Sequence, residues 1–392
     1  MRGPPGRGPP RHGIFQPTVQ VRVDHTASQR NTDPPLAPPA AGRSTVNHRF
    51  PNAAVLTLLP ALACGGDAPA SDNAPADDTT PGVALLTPGP VSDAGWNAGA
   101  YEGLQRIGDS LGLRISHQQT QTTAEFDEAF ISYADADYGL IFGHGFEYQD
   151  AASRVAVEYP EVTFVISGGS RPSDNVVPLI FQLNEASYLA GMAAGAVTES
   201  GIVGMVGGVE IPTAKGTFVA FEAGVKAMRA DATVLETFIG SWDDASAAKE
   251  AAAAQLRRGA DVLIHNVDAA SFGVFQSVRE VREGGRVAWA FGMNRDQNDV
   301  APDVIAGSAV IDYTGMFLQT AEAWRDGTLG SEPVYSGLAT GTVEFVPNPA
   351  QEGLIPADVL ELIDRARQEI IAGTLEVPSI DFIEEEDPVS SQ

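Results

Sequence analysis

The sequence predicts an α/β protein in which a hinge joins two lobes, each built on a doubly wound parallel sheet. From Gly82 onward, short apolar runs alternate with helical patterns. The runs lack the polar alternation of half-exposed strands, which is typical of strands covered on both faces. Repeated strand–helix–strand units favour parallel sheets with helices on either side. The runs are too many for one compact sheet, and the Gly-rich stretch from Gly201 indicates the start of a second lobe.

Ten apolar runs are the candidate strands, and amphipathic helices fill the intervals between them. The runs are GVALL, LRI, YGLIF, VTFVI, VVPLIF, GIVGMVG, TVLETFI, DVLIH, RVAWAF and DVIAGSAVI. The first helix carries one apolar stripe, made of Trp96, Ala100, Leu104, Ile107 and Leu111. Thr122 and Glu125 have the spacing of a capping box, so we expect the second helix to start there.

The order of these elements predicts the boundaries of the lobes. Residues 82–200 and about 300–337 are assigned to lobe 1, and residues 201–299 and about 338–378 to lobe 2. A charged tail, residues 379–392, follows. Ligands of doubly wound sheets bind beyond the carboxyl ends of the strands. Two such edges facing each other would enclose a cleft, which is a favoured place for a small-molecule site.

The N-terminal region carries export signals around Cys64, the one cysteine of the chain. Residues 46–63 have a short basic start, an apolar run too short to span a membrane, and then small residues, which is the layout of a secretory signal peptide. A cysteine directly after them resembles the bacterial lipobox, whose cysteine is lipidated, although Ala61 stands where that pattern prefers leucine. The alternative is an ordinary signal peptide with an incidental cysteine. Residues 64–81 are expected to be a flexible linker, and residues 1–45 a disordered or misassigned extension.

Charge and motif content disfavour several classes of function. The chain has 24 basic and 51 acidic residues, a formal net charge of −27, which disfavours binding to nucleic acid. It contains no HExxH, GxSxG or P-loop motif, and its six histidines show no metal-ligand spacing. No acid/base pair that a reaction would need is evident. We therefore expect a non-enzymatic protein without a metal or cofactor.

The loop after the first strand offers a candidate ligand site. Asp93, Trp96 and Asn97 stand together at the start of the first helix. An aromatic ring can stack on a flat ligand while a carboxylate accepts hydrogen bonds from its hydroxyl or N–H groups. The alternative is structural, because Asp93 could cap the helix and Trp96, which lies on the apolar stripe, could belong to the core.

Further polar and aromatic residues follow other strands. His144 lies between two glycines that would let a ligand approach the backbone, and Asp150 either contacts that ligand or caps the next helix. In the second lobe, Trp242 and Asp268 are expected at the exits of two strands, facing the crevice. Asn294 belongs to a polar cluster after a third strand, which is either part of the hinge or a ligand contact.

Several segments resemble the basic membrane protein family of substrate-binding lipoproteins, whose known members bind purine nucleosides for ABC-type importers. The resemblance runs from about Gly82 to Pro378 and is most specific in the segment NEASYLAGMAAGAVTESGIVGMVGG. SDAGWNAGAYEGL is similar to the family's first loop, and GHGFEYQDAASRVAVEYPEVTFVI, FEAGVKA, GADVLIH and AGTLEVP add to the likeness. The resemblance implies a two-lobed type I periplasmic-binding-protein fold, in agreement with the pattern of strands and helices.

The resemblance also implies which residues would contact a ligand. Its stacking aromatic positions are matched by Trp96 and Trp242, and its Gly-Phe pair contains Phe146. Its polar cleft positions are matched by Asp93, Asn97 and Asp150.

Two departures from the family affect the sugar end of the implied pocket. The family's GxDxDQ motif reads GMNRDQ here, so Asn294 replaces a carboxylate that holds ribose hydroxyls in the family. Ile311 stands at about the place of a family lysine. An amide accepts hydrogen bonds without the strength of a charged acceptor. We therefore expect recognition of a purine-like ring to persist more than recognition of the ribose.

The expected function is capture of a purine nucleoside or related nucleobase by closure of the two lobes, for delivery to an ABC permease and its ATPase. Trp96 and Trp242 would sandwich the ring, and Asp268 and Asn294 would contribute from the second lobe. The protein would be a monomer, anchored by lipid at Cys64 on the periplasmic or extracellular face of a bacterial cell membrane. The alternatives are a ligand-sensing receptor of the same fold for another small polar molecule, such as a sugar or amino acid, and an enzyme that acts on nucleosides.

Overall fold

The computed structural model describes residues 81–380, which form two six-stranded sheets. The expected signal peptide, Cys64, most of the linker and the tail from residue 381 onward lie outside these residues. The α/β class and the two mostly parallel sheets predicted from the sequence are confirmed. Within the described part of the chain, every helix is too short or too polar to cross a membrane.

Strands and helices alternate along most of the described chain. The strands are β1 (Gly82–Thr87), β2 (Ile115–Gln119), β3 (Tyr138–Gly143), β4 (Thr163–Ser167), β5 (Val176–Phe181), β6 (Ile202–Gly207), β7 (Thr233–Phe238), β8 (Val262–Asn266), β9 (Trp289–Asn294), β10 (Ile305–Ile311), β11 (Val334–Ser336) and β12 (Val343–Pro347). The helices are α1 (Trp96–Leu111), α2 (Thr123–Asp135), α3 (Gln149–Val155), α4 (Leu183–Val197), α5 (Pro212–Met228), α6 (Ala245–Arg257), α7 (Ser271–Glu283), α8 (Tyr313–Arg325) and α9 (Ala357–Ile371).

Each lobe contains one sheet. The sheet of lobe 1 has the order β11-β5-β4-β3-β1-β2, and all its neighbouring strands are parallel. The sheet of lobe 2 has the order β12-β10-β9-β8-β6-β7 and is parallel except for the pair of β10 and β12. In each sheet, the parallel strands therefore end at one shared edge, which is where ligands of such sheets bind.

Both faces of the central strands are buried, as the unbroken apolar runs predict, whereas the edge strands β2 and β7 are partly exposed. In β1, Val83 and Leu85 belong to the same apolar cluster as Leu104 of α1. Leu86, on the opposite face, belongs to a second cluster together with Phe130 of α2. Successive side chains of a strand point to opposite faces, so a strand between two helical layers must be apolar at every position.

Helix α2 starts with the capping box that the sequence predicts. The hydroxyl of Thr122 accepts a hydrogen bond from the backbone N–H of Glu125, and the Glu125 carboxylate accepts one from the backbone N–H of Thr122 at 3.2 Å. The predicted capping box is therefore confirmed, and it satisfies N–H groups that the helix itself leaves without partners.

The chain crosses between the lobes at three places, near Gln182, Asp312 and Gly337. The first two differ from the boundaries expected near residues 200 and 300. Hydrogen bonds connect the crossings, because the backbone N–H of Gln182 donates to the carbonyl of Ser336 and that of Asp312 donates to the carbonyl of Thr342, both at 2.7 Å. The three crossings thus form one connected hinge.

Helix α4 and strand β10 belong to lobe 2 and not, as expected, to lobe 1. β10 pairs with β9, and α4 contacts α5, β10 and β12. Glycines let α4 and α5 approach closely: a Cβ at Gly224 would lie 2.1 Å from the carbonyl oxygen of Tyr188, and one at Gly191 would lie 2.2 Å from that of Phe221. An apolar pattern shows that a helix is buried, but it does not show which sheet buries it. The order of elements alone therefore placed α4 in lobe 1, whereas it packs in lobe 2.

Candidate ligand-binding site

A cavity of about 530 Å³ lies between the two lobes. The last residues of strands from both sheets line it, namely Ser167 of β4, Phe181 of β5, Asn266 of β8 and Asn294 of β9. The cavity therefore occupies the edge at which doubly wound sheets bind ligands, and its volume lies in the range of small-molecule sites.

Trp96 lines the lobe 1 side of the cavity, and His144 holds its ring in place. The two rings stack with their centroids 4.0 Å apart. Trp96 Nε1–H donates to the carbonyl oxygen of His144, and His144 Nε2–H donates to the carbonyl oxygen of Trp96, each at 3.1 Å. Because His144 covers one face of the indole, only the other face is available to a ligand.

The imidazole of His144 is a buried, neutral support and not a ligand contact. Nε2 lies against a carbonyl and carries the proton, so Nδ1 accepts a hydrogen bond from the Ser167 hydroxyl, 2.9 Å away. Burial lowers the pKa of His144 to about 3, so the ring stays uncharged at neutral pH. Of the two glycines that flank His144, Gly145 lines the cavity, and the approach of a ligand to the backbone there stays a prediction.

Trp242 approaches the same cavity from lobe 2. It follows β7, and its ring lies against the backbone at Gly208, where a Cβ would stand 2.1 Å from a ring carbon. Position 208 therefore requires glycine. Phe146, in the turn before α3, and Phe181 also line the cavity. The site thus presents aromatic rings from both lobes, which is the arrangement that a flat ring ligand needs.

Asp268 is a buried acid of this cavity. It follows β8, is 6% exposed and lines the cavity wall. Its carboxyl group has no hydrogen-bond or ion-pair partner among residues 81–380. Burial raises the pKa of Asp268 well above its ordinary value, and the negative charges of Asp93, Asp243 and Glu147 raise it further.

The pKa values of two neighbouring acids are raised as well. Burial raises the pKa of Glu147, which lines the cavity, and burial together with the charge of Asp93 raises the pKa of Asp243. No lysine, arginine or histidine is among the cavity-lining residues that the structure describes. Nor do residues 81–380 contain a group of three or more His, Cys, Asp or Glu that could hold a metal ion.

Asp93 serves the start of α1, as the structural alternative predicted, and Asn97 bonds to it. The Asp93 carboxylate accepts hydrogen bonds from the backbone N–H groups of Gly95, Asn97 and Ala98 at 3.0, 2.8 and 2.9 Å. It also accepts one from the Asn97 side-chain amide at 2.9 Å. Neither residue is part of the described cavity lining, and as ligand contacts both stay predictions.

Asp150 lies outside the cavity. It is exposed on α3 and forms an ion pair with Arg171. The structure therefore does not bring it together with Trp96, Trp242 or Asp268, and its role as a ligand contact stays a prediction.

Asn294 and Ile311 both line the cavity and are 4% and 3% exposed. Asn294 has a positive φ of 71°, a conformation that asparagine adopts more readily than most residues. The two positions at which the chain departs from the resembled pattern therefore lie at one site.

Sequence analysis missed part of the cavity wall. Ser167, Phe181 and Asn266 end their strands, and the rule that ligands bind at strand ends could have identified them. Residues 375–380, which follow α9, also contribute to the wall, and Asn184 donates its side-chain amide to the carbonyl of Pro378 at 3.4 Å. No pattern in the sequence links this last segment to the strand ends.

Comparison with known proteins assigns the chain to a family of transport proteins. A family described as "ABC transporter substrate-binding protein PnrA-like" (Bmp) matches residues 80–381. A putative ABC transporter glucose-binding protein of Haloferax volcanii is 27% identical over 292 residues, 73% of each chain. An ABC transporter nucleoside-binding protein of Lactococcus lactis is 27% identical over 307 residues, 74% of this chain and 86% of that protein. A purine-binding protein of Brucella abortus is 26% identical over 296 residues, 75% of this chain and 81% of that protein.

Solved structures agree at the level of the fold. An ABC transporter solute-binding protein from Aeropyrum pernix has a TM-score of 0.69 at 21% identity and covers 79% of this chain and 94% of its own. The family match spans both lobes and every described residue that lines the cavity. It confirms the family resemblance found in the sequence, and the chain belongs to the Bmp family of PnrA-like ABC transporter substrate-binding proteins.

Proposed function

We propose that this substrate-binding protein captures a purine nucleoside or a related nucleobase between its lobes and delivers it to an ABC importer. The observation that carries the proposal is that Trp96 and Trp242 line one cavity from opposite lobes. The names of two relatives, a nucleoside-binding and a purine-binding protein, support the ligand class. Closure of two lobes buries a ligand and requires no chemical step.

Two indole rings suit the capture of a flat base. One face of Trp96 is covered by His144, and the ring of Trp242 lies against the backbone at Gly208. The ring of Phe181 meets Trp96 edge-on with centroids 6.0 Å apart, which restricts rotation of the indole. Stacking of a base on an aromatic side chain is worth about 1–3 kcal/mol, so each tryptophan should make a measurable contribution.

Calorimetric titration with nucleosides and free purines tests the proposal. We expect purines to bind more tightly than cytidine or uridine, and Trp96→Ala or Trp242→Ala to weaken purine binding by about 10- to 100-fold each. Phe272→Ala is the matched control, because Phe272 is an exposed aromatic residue of α7 outside the cavity. Absence of binding heat with every purine contradicts the proposed ligand class.

A sugar is the second candidate ligand. It is favoured by the relative from Haloferax volcanii, which is described as a putative glucose-binding protein. Glucose therefore belongs in the same titration series. Binding of glucose without binding of any purine would replace the nucleobase proposal while leaving the role in transport unchanged.

We also propose that the exported protein is tethered by a lipid on Cys64 and serves an ABC permease and ATPase as a monomer. The position of Cys64, after a segment with the layout of a signal peptide, supports the anchor, and the family supports the transport partners. Mass spectrometry of the mature N-terminus tests the anchor. An acylated Cys64 is expected, and an unmodified terminus at another residue contradicts it.

A further inference from the structure

We infer that the ligand carries a positive charge on its flat ring, and that Asp268 is the acid that binds this charge. The inference rests on the proposed function and narrows its ligand class to cationic purine-type bases and their nucleosides.

The first observation is that Asp268 lacks a partner. It is 6% exposed and lines the cavity, yet within residues 81–380 neither a hydrogen bond nor an ion pair reaches its carboxyl group. A buried carboxyl group is unfavourable unless another group neutralises it or donates hydrogen bonds to it. In a cavity between two lobes, the group that can do so is the ligand.

The second observation is the sign of the surrounding charge. Asp93 and Glu147 of lobe 1 and Asp243 of lobe 2 all act on Asp268 with negative charge. The Asp93 carboxylate accepts four hydrogen bonds from N–H groups, and none of these bonds connects it to Asp268. The cavity wall, as far as it is described, contains no basic side chain. Arg295, the cation at the end of β9, is engaged by both carboxylate oxygens of Glu102 at 2.9 Å.

The third observation is the aromatic lining. The faces of indole rings attract cations electrostatically as well as stacking on bases. A purine whose positive charge is delocalised over the ring can therefore stack on Trp96 and Trp242 and neutralise Asp268 at the same time. A neutral purine can also stack on the tryptophans and donate an N–H group to Asp268, but it leaves the negative charge of Asp268 and its neighbours without a counter-charge.

Two methylated adenosines of similar size but different charge test the inference. 1-Methyladenosine is cationic at neutral pH, whereas its isomer N6-methyladenosine is neutral. We expect 1-methyladenosine to bind about tenfold more tightly or better, and Asp268→Asn to abolish this preference. Asp231→Asn is the control, because it removes the same charge from the opposite end of lobe 2, where the Asp231 side chain is 87% exposed. The preference should survive in that variant.

Proton release provides a test in the unmodified protein. If a cation binds ionised Asp268, binding lowers the pKa that burial and the charges of Asp93, Asp243 and Glu147 have raised, so the complex releases protons. Affinity for 1-methyladenosine should then rise as the pH increases through the raised pKa of free Asp268. A neutral ligand that accepts a hydrogen bond from protonated Asp268 would show the opposite dependence. Calorimetry in buffers of different protonation enthalpy measures the protons directly.

The outcomes are distinct. Equal affinity for the two isomers, preference for the neutral one, or proton uptake on binding overturns the cationic ligand while leaving purine capture intact. Failure of both isomers, and of the neutral purines, to bind overturns the proposed function itself. Tighter binding of 1-methyladenosine that Asp268→Asn abolishes, with proton release in the unmodified protein, supports the inference.

Discussion

At the scale of single residues, Asn294 is the position at which the proposed contact with a ribose can be tested. Its φ of 71° is tolerated by aspartate as well as by asparagine, so Asn294→Asp changes the acceptor without straining the backbone. A carboxylate accepts hydrogen bonds from hydroxyl groups about twice as strongly as an amide does. We expect the variant to bind a nucleoside at least about threefold more tightly relative to its free base than the unmodified protein does, as measured by calorimetry.

The ratio of the affinities for a nucleoside and for its free base provides an internal control for this variant. A new charge in the cavity affects a base and its nucleoside alike, whereas a new contact with ribose affects only the nucleoside. An unchanged ratio would show that position 294 does not face the sugar.

Asp93 and Asp268 show how far the sequence defines the site. Both follow strands, and both are predicted as ligand contacts. The Asp93 carboxylate accepts hydrogen bonds from backbone N–H groups two to five residues further along the chain. Asp268 instead lines the cavity without a partner in the described chain. The rule about strand ends identifies the candidates, but whether an acid meets N–H groups depends on loop geometry that residue patterns do not specify.

At the scale of elements, glycines set the distance between α4 and α5. A Cβ at Gly224 would lie 2.1 Å from the backbone oxygen of Tyr188, whereas one at Gly216, in the same helix, would be 3.6 Å from its nearest neighbour. We expect Gly224→Ala to lower the free energy of unfolding by about 1–3 kcal/mol, because the helices must separate. Gly216→Ala should leave it unchanged or raise it by up to about 1 kcal/mol through helix propensity. Chemical denaturation of the ligand-free variants measures both, and equal effects would argue against close packing at Gly224.

Local residue patterns predict where the strands and helices lie, whereas contacts between distant residues determine which lobe each of them joins. The ten apolar runs overlap β1 to β10, and the capping box marks the start of α2. β11 and β12 were not predicted, because these short, partly exposed strands lie at sheet edges and lack an unbroken apolar run. The assignment of α4 failed because its contacts with α5 depend on backbone approach at Gly191 and Gly224, which hydrophobic periodicity does not reveal.

At the scale of the whole molecule, side chains bridge the cleft away from the hinge. Arg295, after β9 of lobe 2, pairs with Glu102 on α1 of lobe 1. Gln297, also of lobe 2, donates its side-chain amide to the carbonyl of Ala94 in lobe 1 at 3.3 Å. The lobes cannot separate to release a ligand until these contacts break, so they should slow release more than they affect capture.

Glu102→Gln tests this effect because it removes the ion pair and keeps the shape of the side chain. An exposed ion pair contributes about 0.2–1 kcal/mol, so we expect ligand release to accelerate by about 1.4- to 5-fold at low salt, as followed by stopped-flow tryptophan fluorescence. The difference should shrink at high salt, which screens the pair. Glu128→Gln is the control, since Glu128 is an exposed residue of α2 without an ion pair in the described chain. If Glu102→Gln and Glu128→Gln release ligand at the same rate at low salt, the ion pair between Glu102 and Arg295 does not slow release.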